Sequence, residues 1–459
     1  MEEGKSIARY VATHRKRFLE ELCSLIAIES VSSDPTRRQQ MAACAARLQK
    51  LLVAAGADRA EVVATDGHPV VVAEKRFGAD RPTVIVYGHY DVQPPDPLDV
   101  WQSSPFVPEI RDNAIYGRGA SDDKGQLFTH LKALEYLVRN GRTGCNIIFV
   151  IEGEEEIGSP SLPAFFRSRP LAADAVLVSD TAMLPGNRPA ITVGLRGLAA
   201  VEVEVRGPDR DLHSGIYGGA VVNPANALAA MIAGLHDAEG RITVPGLYDD
   251  VEEPDAAIRQ QLAEAAPDDE SVAADIGLVP SGVESGYTAF ECTTIRPALD
   301  VNGIEAGHTG EGFKTVLPAV ARARISVRLV PRQNSERVTR LLADHLHRLA
   351  PPGVRVTVRP SHGAEPVVVR PDFPALTVAR RAMAAAFGQE VLCIRSGGSI
   401  PVVALFEKEL GLQSVLMGFG QDSDAIHSPN EHFGLDNLER GIVACALFYE
   451  EFGRTAGAA

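Results

Sequence analysis

The sequence predicts an α/β fold: a mostly parallel sheet covered by helices, interrupted by an inserted α+β domain. Three observations carry this. Up to about residue 196, short apolar runs alternate with amphipathic stretches, the signature of strand–helix units on a parallel sheet. Near Gly197 the pattern changes, and Leu198–Val205 alternates more like an exposed antiparallel strand. Beyond residue 368 the first style resumes. With 459 residues the chain exceeds one ordinary core, and the expected organisation is 1–196, 197–368 and 369–459, the outer two segments forming one domain.

Each element follows from local chemistry. Ile7, Tyr10, Val11, Phe18, Leu22, Leu25 and Ile26 recur with helical period, predicting a helix over Ser6–Ala27. A second spans Arg37–Ala55, with Gly56 as its stop. Val70–Ala73 and Thr83–Tyr87 read as strands, and Asp112-Asn113 turns a hairpin between Val107–Ile110 and Ala114–Tyr116. The helix Gly125–Asn140 precedes the strand Asn146–Ile151, and the helix Leu162–Arg169 precedes the strand Ala175–Val178. In the inserted region Leu198–Val205, Ala321–Leu329 and Val354–Val358 are expected strands, with helices Pro224–Leu235 and Ser335–Leu349. The acidic, Pro-rich stretch Gly246–Val283 is expected to be irregular or helical surface. Helices Pro374–Phe387, Val402–Leu410 and Leu435–Phe452 and the strand Ser414–Met417 complete the chain.

Composition narrows the function. Apolar residues make up 45% and charged residues 23%, with a net charge of −15. An acid excess argues against a nucleic-acid partner, because a phosphate backbone attracts basic surface. Acidic groups could instead collect a divalent cation. The six cysteines are scattered without a Cys-x-x-Cys pair, so each is expected to be a small core thiol in a reducing compartment. Charges interrupt the first residues throughout, unlike a signal peptide, and no apolar run reaches the ~18 residues of a membrane span. The expectation is a cytoplasmic protein without a membrane partner.

Six fragments carry the chemistry, most of them directly after an apolar run. His89 and Asp91 follow Val84–Tyr87 and, two residues apart, project from one side of an extended segment. In Gly117–Gly125, Asp122 and Asp123 stand just before a helix. One acid would make an N-cap; two repel, and a cation would offset that cost. Glu154, Glu155 and Glu156 follow a buried run, with a solvated loop expected for Glu154 and a shaped site for the other two. Asp180 ends another strand, where a strand-end cap is the plain alternative. His213 is a turn residue by itself, and His427 a loop histidine. The helical histidines His14, His345 and His347 are expected at the surface. Imidazole and carboxylate donors without thiolates suit zinc, manganese or cobalt. Two ions ~3.5–4 Å apart could share a carboxylate and a bridging water, with a further Glu as general base. This is the chemistry of amide or ester hydrolysis.

Seven ordered motifs now carry a resemblance: Tyr87–Pro94, Tyr116–Gly125, Glu152–Ser159, Asp211–Gly219, Lys314–Pro318, Ser326–Pro331 and Gly397–Pro401. Over nearly its whole length the chain resembles the co-catalytic metallopeptidases that include carnosinase-like cytosolic dipeptidases, glutamate carboxypeptidase, aminoacylase and acetylornithine deacetylase. The dipeptidase branch is the nearest.

The resemblance implies a zinc-peptidase catalytic domain with an inserted lid and dimerisation domain. It implies two divalent ions, Zn²⁺ first and Mn²⁺ or Co²⁺ as substitutes: His89 and Asp180 on one, Glu156 and His427 on the other, Asp122 bridging both and followed by a cis peptide. Asp91 would orient His89, and Glu155 would be the general base. His213, supplied across a homodimer, would stabilise the oxyanion. Arg328 and Thr315 would contact a dipeptide substrate from the lid, and Gly398 and Ser399 would also hold its carboxylate end; a surface cation is the plain reading of Arg328, and a Gly-rich turn and helix start that of the Gly398-Ser399 pair. An Asp at position 180 goes with the dipeptidase and aminopeptidase branches. The alternative on the same scaffold is an N-acyl amino-acid amidohydrolase.

Overall fold

The computed structural model describes residues 2–266, 269–398 and 400–455. The chain forms two compact units. One comprises Met1–Val193, Val369–Ile394 and Leu405–Ala459; the other comprises Gly194–Val368 and Arg395–Ala404.

The first unit is built on a mixed sheet. Seven of its nine strands run in the order Arg59–Val63, Val70–Lys75, Asn146–Glu152, Thr83–His89, Ala175–Val178, Ser414–Leu416 and Ala190–Leu195. Among these seven, pairing is parallel only within the four from Asn146–Glu152 to Ser414–Leu416. The flanking pairs are antiparallel, which corrects the expectation of a mostly parallel sheet. Two of the flanking strands, Arg59–Val63 and Ala190–Leu195, were not foreseen: Arg59 and Glu61 interrupt the apolar pattern of the first, and Gly194 that of the second.

Burial explains why the central strands read as unbroken apolar runs. Every residue of Asn146–Glu152 is buried. Val84, Val86, Ile147, Phe149, Ala175 and Leu177 join the core under helices Glu2–Ile26, Arg38–Ala55, Lys124–Arg139, Pro374–Phe387 and Leu435–Thr455. Alternate residues face the other way, where Tyr87 and Phe166 pack their rings on Phe406. Both faces are therefore covered. The expected hairpin forms with Asp112 and Asn113 both at positive φ, as a tight two-residue turn requires. Gly56 ends its helix at φ +101°.

The second unit contains a four-stranded antiparallel sheet in the order Ala298–Ala306, Val320–Leu329, Gly197–Arg206 and Arg355–Ala364. One face buries Val201, Val203, Val205, Ala323, Ile325 and Val327 with residues of the helices Pro224–Ala233 and Ser335–Leu349. The opposite face pairs Arg322 with Glu204 and Arg324 with Glu202 across strands. The strand Ala298–Ala306 was missed because its alternation holds only over Leu299–Asn302 and is broken by Gly303 at a bulge between Val301 and Gly303. Helices Ala256–Ala265 and Asp269–Ile276 occupy the acidic stretch.

Two smaller expectations need correction. Cys44, Cys145 and Cys445 are core thiols, but Cys23, Cys292 and Cys393 are half-buried. His345 is buried, with Nε2 3.0 Å from Thr243 Oγ1, because its helix turns that face toward the core. Among the described residues no helix is long and apolar enough to cross a membrane.

Candidate metal centre

Strand ends of the first unit gather the donors. Thr83–His89 runs between Asn146–Glu152 and Ala175–Val178, so its last residue opens at the edge of the sheet shared with Glu152 and the segment leading to Asp180. The His89 ring is fully buried. Its Nδ1 stands 3.1 Å from the Asp91 carbonyl oxygen and 3.5 Å from Asp91 Oδ1. Those acceptors select the Nδ1–H tautomer and leave the Nε2 lone pair facing carboxylates. Nε2 lies 2.9 Å from Asp122 Oδ1 and 3.7 Å from Asp180 Oδ2, yet among the described residues no group meets it in hydrogen-bonding geometry. A buried, unpartnered nitrogen among carboxylate oxygens fits a metal ligand.

Asp122 is the hub. Its Oδ1 faces His89, and its Oδ2 lies 2.8 Å from His427 Nε2. His427 also reaches Glu156 Oε2 at 3.3 Å. One ligand atom each from His89, Asp122 and Glu156 lies within 4.8 Å of the others. Asp180 and His427 border the same cluster. The structure thus brings together all the ligands that the resemblance implied, and the Asp122–Asp123 peptide is cis. Neither acid caps the following helix, which has no side-chain N-cap, so the capping alternative is set aside. Asp123 instead accepts a hydrogen bond from the His89 amide at 3.1 Å. A Cβ on Gly88 would stand 2.7 Å from Asp123 Oδ2, which explains the glycine before His89.

Asp91 has a second task. Its two oxygens accept the amides of Glu155 and Glu156 at 3.2 and 3.1 Å, setting the short 3₁₀ turn Glu155–Ile157 against His89. Gln93 Nε2 donates to Glu156 Oε2 at 2.8 Å. Glu154, expected to be solvated, is buried and accepts the amides of His68 and Ser161 at 3.1 and 3.2 Å. It braces the loop, while Glu155 and Glu156 turn to the cluster.

The electrostatics match a cation site. Burial disfavours a charge on His89, but Asp122, Asp91 and Asp180 outweigh it and raise its proton affinity well above the ordinary value. Hydrogen bonds to the Asp122 and Glu156 carboxylates lift His427 to about 10. Burial opposes the Asp122 charge, yet His427 and His89 hold its pKa below the usual carboxylate range. Burial, then repulsion from Asp122, pushes Asp180 up to about 7. Burial, together with Asp180, Glu156 and Asp122 and against the pull of His89, lifts Glu155 to about 9. Protons and divalent cations compete for such a cluster.

His213, Thr315, Arg328 and Gly398 belong to the second unit. Leu212–His213 pairs with Val316–Leu317, and the Ser214 amide donates to the Thr315 carbonyl at 3.2 Å, so His213 and Thr315 are neighbours. His213 is exposed, and its Nδ1 accepts the Gly215 amide at 3.0 Å. That bond places the ring proton on Nε2, as a donor. Arg328 is half-buried beside Arg196, a buried cation whose Nε donates to the Gly397 carbonyl at 3.1 Å. The Gly398 amide donates to Ser396 Oγ at 3.2 Å, and Ser399 lies outside the described residues.

Sequence reading missed several supports: Gln93, Glu431 and the chain Tyr449–His130–Ser179, in which His130 stands 2.8 Å from both hydroxyls. Gln93 stands in a quoted motif and was findable. Glu431 and Tyr449 act over more than 300 positions and Ser179 over 49, so none leaves a local pattern.

An open-sheet fold with an imidazole–carboxylate cluster at its strand ends defines a metal-dependent hydrolase. The chain belongs to Peptidase family M20/M25/M40, whose model matches residues 85–451. It is 31% identical to the "Cys-Gly metallodipeptidase dug1" of Schizosaccharomyces pombe over 459 residues, covering 95% of this chain and 96% of that protein. It is 31% identical to the human "Beta-Ala-His dipeptidase" over 477 residues, covering 98% and 93%. Among solved structures, human carnosine dipeptidase 1 superposes with a TM-score of 0.83 at 30% identity, covering 98% of this chain and 99% of that one. The metallo-carboxypeptidase Sso-CP2 of Sulfolobus solfataricus does so at 0.85 and 32%, covering 95% and 99%.

Proposed function

We propose that this chain is a cytoplasmic, homodimeric metallo-dipeptidase that cleaves short peptides with free amino and carboxyl ends. The observation that carries the reading is the convergence of His89, Asp122, Glu156, Asp180 and His427 beside Glu155. Full-length likeness to proteins named as Cys-Gly and Beta-Ala-His dipeptidases supports the substrate class.

His89 and Asp180 would hold one divalent ion, Glu156 and His427 the other, with Asp122 shared. Bound Zn²⁺ or Mn²⁺ would polarise the scissile carbonyl and acidify the attacking water. Glu155 takes a proton from that water as its oxygen bonds to the carbonyl carbon, then returns the proton to the departing amine as the C–N bond breaks. His213 of the partner subunit donates its Nε2–H to the developing oxyanion. Arg328 presents a planar fork suited to the substrate carboxylate, and Thr315, Gly398 and Ser399 would contact the substrate with it. The segment 197–368 is then lid and dimerisation surface, and 1–196 with 369–459 the catalytic domain.

A panel of dipeptides, tripeptides and N-acetylated amino acids tests this, with chelator and then Zn²⁺ or Mn²⁺. Chelator-sensitive release from unblocked dipeptides alone supports the dipeptidase. Release from acetylated compounds makes it an amidohydrolase. The likeness to Sso-CP2 favours one second reading, a carboxypeptidase, and cleavage of N-blocked peptides at the last bond would select it.

A further inference from the structure

Glu431 is fully buried, four residues beyond His427, and plays no part in the mechanism above. Its carboxylate collects four donors. Oε1 accepts the amides of Ser121 and Asp122 at 2.9 and 3.1 Å. Oε2 accepts the Gly119 amide at 2.9 Å and Arg118 Nη1 at 2.7 Å. Arg118, itself buried, donates to the Pro94 carbonyl at 3.3 Å, in the segment that follows Asp91. On the other side of His427, Asp424 Oδ2 accepts Ser121 Oγ at 2.7 Å and the Gln421 amide at 3.0 Å. The loop itself is tied down next door. Asn430 accepts the Gln102 amide at 2.8 Å and donates to the Val100 carbonyl at 3.0 Å. Ala425, His427 and Asn430 all hold positive φ, a backbone that these contacts must select.

We propose that Glu431 is a positioning residue, which with Asp424 clamps the loop carrying His427 to the loop carrying Asp122. The inference rests on the reading of those two as metal ligands. It goes further, in saying what sets their mutual placement. Asp122 faces both histidines, so a shift of its loop loosens both ions together. A carboxylate suits this task because three amides and a guanidinium all point at it. A neutral amide would turn an NH₂ toward one oxygen's pair of donors and leave them buried without acceptors.

The test is metal affinity, read by competition with a chromogenic chelator, and the visible spectrum of the Co²⁺-loaded protein. Glu431→Gln should weaken both ions by about 10–100-fold and change the Co²⁺ bands. The control is Glu450→Gln, a buried carboxylate held by Arg142 at 2.6 and 3.1 Å, remote from the ligands in sequence. It should lower thermal stability and leave affinity and spectrum alone. A folded Glu431→Gln protein with wild-type affinity, or an equal loss in Glu450→Gln, overturns the proposal. Wild-type protein that binds no divalent ion would instead sink the metal reading itself. Should Glu431→Gln not fold, hydrogen exchange on wild-type protein decides: Zn²⁺ should slow exchange in peptides spanning 117–123 and 421–431 in concert. Protection of one segment without the other refutes the clamp.

Discussion

Two adjacent glutamates separate the catalytic reading from a structural one. Glu155 faces the carboxylate cluster, whereas Glu154 accepts two backbone amides and is buried. Glu155→Gln removes a proton acceptor and keeps the shape. General-base removal should cost about 10²–10⁴ in kcat, or ~3–5 kcal/mol of transition-state stabilisation. The ligand atoms of His89, Asp122 and Glu156 are untouched, so two bound ions per chain should remain. Glu154→Gln keeps one acceptor oxygen and turns the other into a donor facing an amide. That loses one hydrogen bond to a charged group, a destabilisation of about 1.5–3 kcal/mol. Turnover per folded molecule should hold. The assay is dipeptide turnover with metal analysis and urea unfolding on both variants. A folded, metal-loaded Glu154→Gln protein without turnover, beside an active Glu155→Gln, would refute the assignment.

Other outcomes follow from the same geometry. Chelator should abolish hydrolysis and Zn²⁺ or Mn²⁺ restore it, measured as amino acids released. His213→Ala should lower kcat by about 10²–10³ with metal content unchanged. Mixing it with Glu155→Gln should recover about a quarter of wild-type activity if His213 serves the neighbouring subunit, since half the dimers are then mixed and hold one complete site. No recovery would place that histidine within its own chain. Away from the site, Glu135 is buried and accepts bonds from Tyr10, Arg17 and Lys132. Burial works against its charge, but Arg17 and Lys132 win and hold its pKa at about 2. A depressed folded pKa gives stability that is complete above the unfolded value near 4.5 and is lost as pH falls toward 2. Glu135→Gln leaves the buried Lys132 with Glu21 as its remaining carboxylate partner and should destabilise by about 1.5–3 kcal/mol at neutral pH, with a flatter acid limb in urea titrations.

Much of this protein was legible locally. Apolar runs marked the central strands because a strand buried on both faces tolerates no polar interruption, and Asn146–Glu152 is such a strand. Helical period marked Ser335–Leu349 to the residue. The candidate ligands were legible through ordered motifs, most of which follow a strand, where an open sheet exposes backbone and side chains to one crevice. Tertiary structure alone decided the rest. The glutamate triplet looks uniform in sequence; only the amides of His68 and Ser161 make Glu154 a brace. Asp122 and Asp123 look like helix caps until His89 and His427 are seen across from the first. Glu431 has no local signature, because its donors lie more than 300 positions away. Periodicity reports which face of an element is buried. Which buried groups meet depends on contacts that only the closed chain creates.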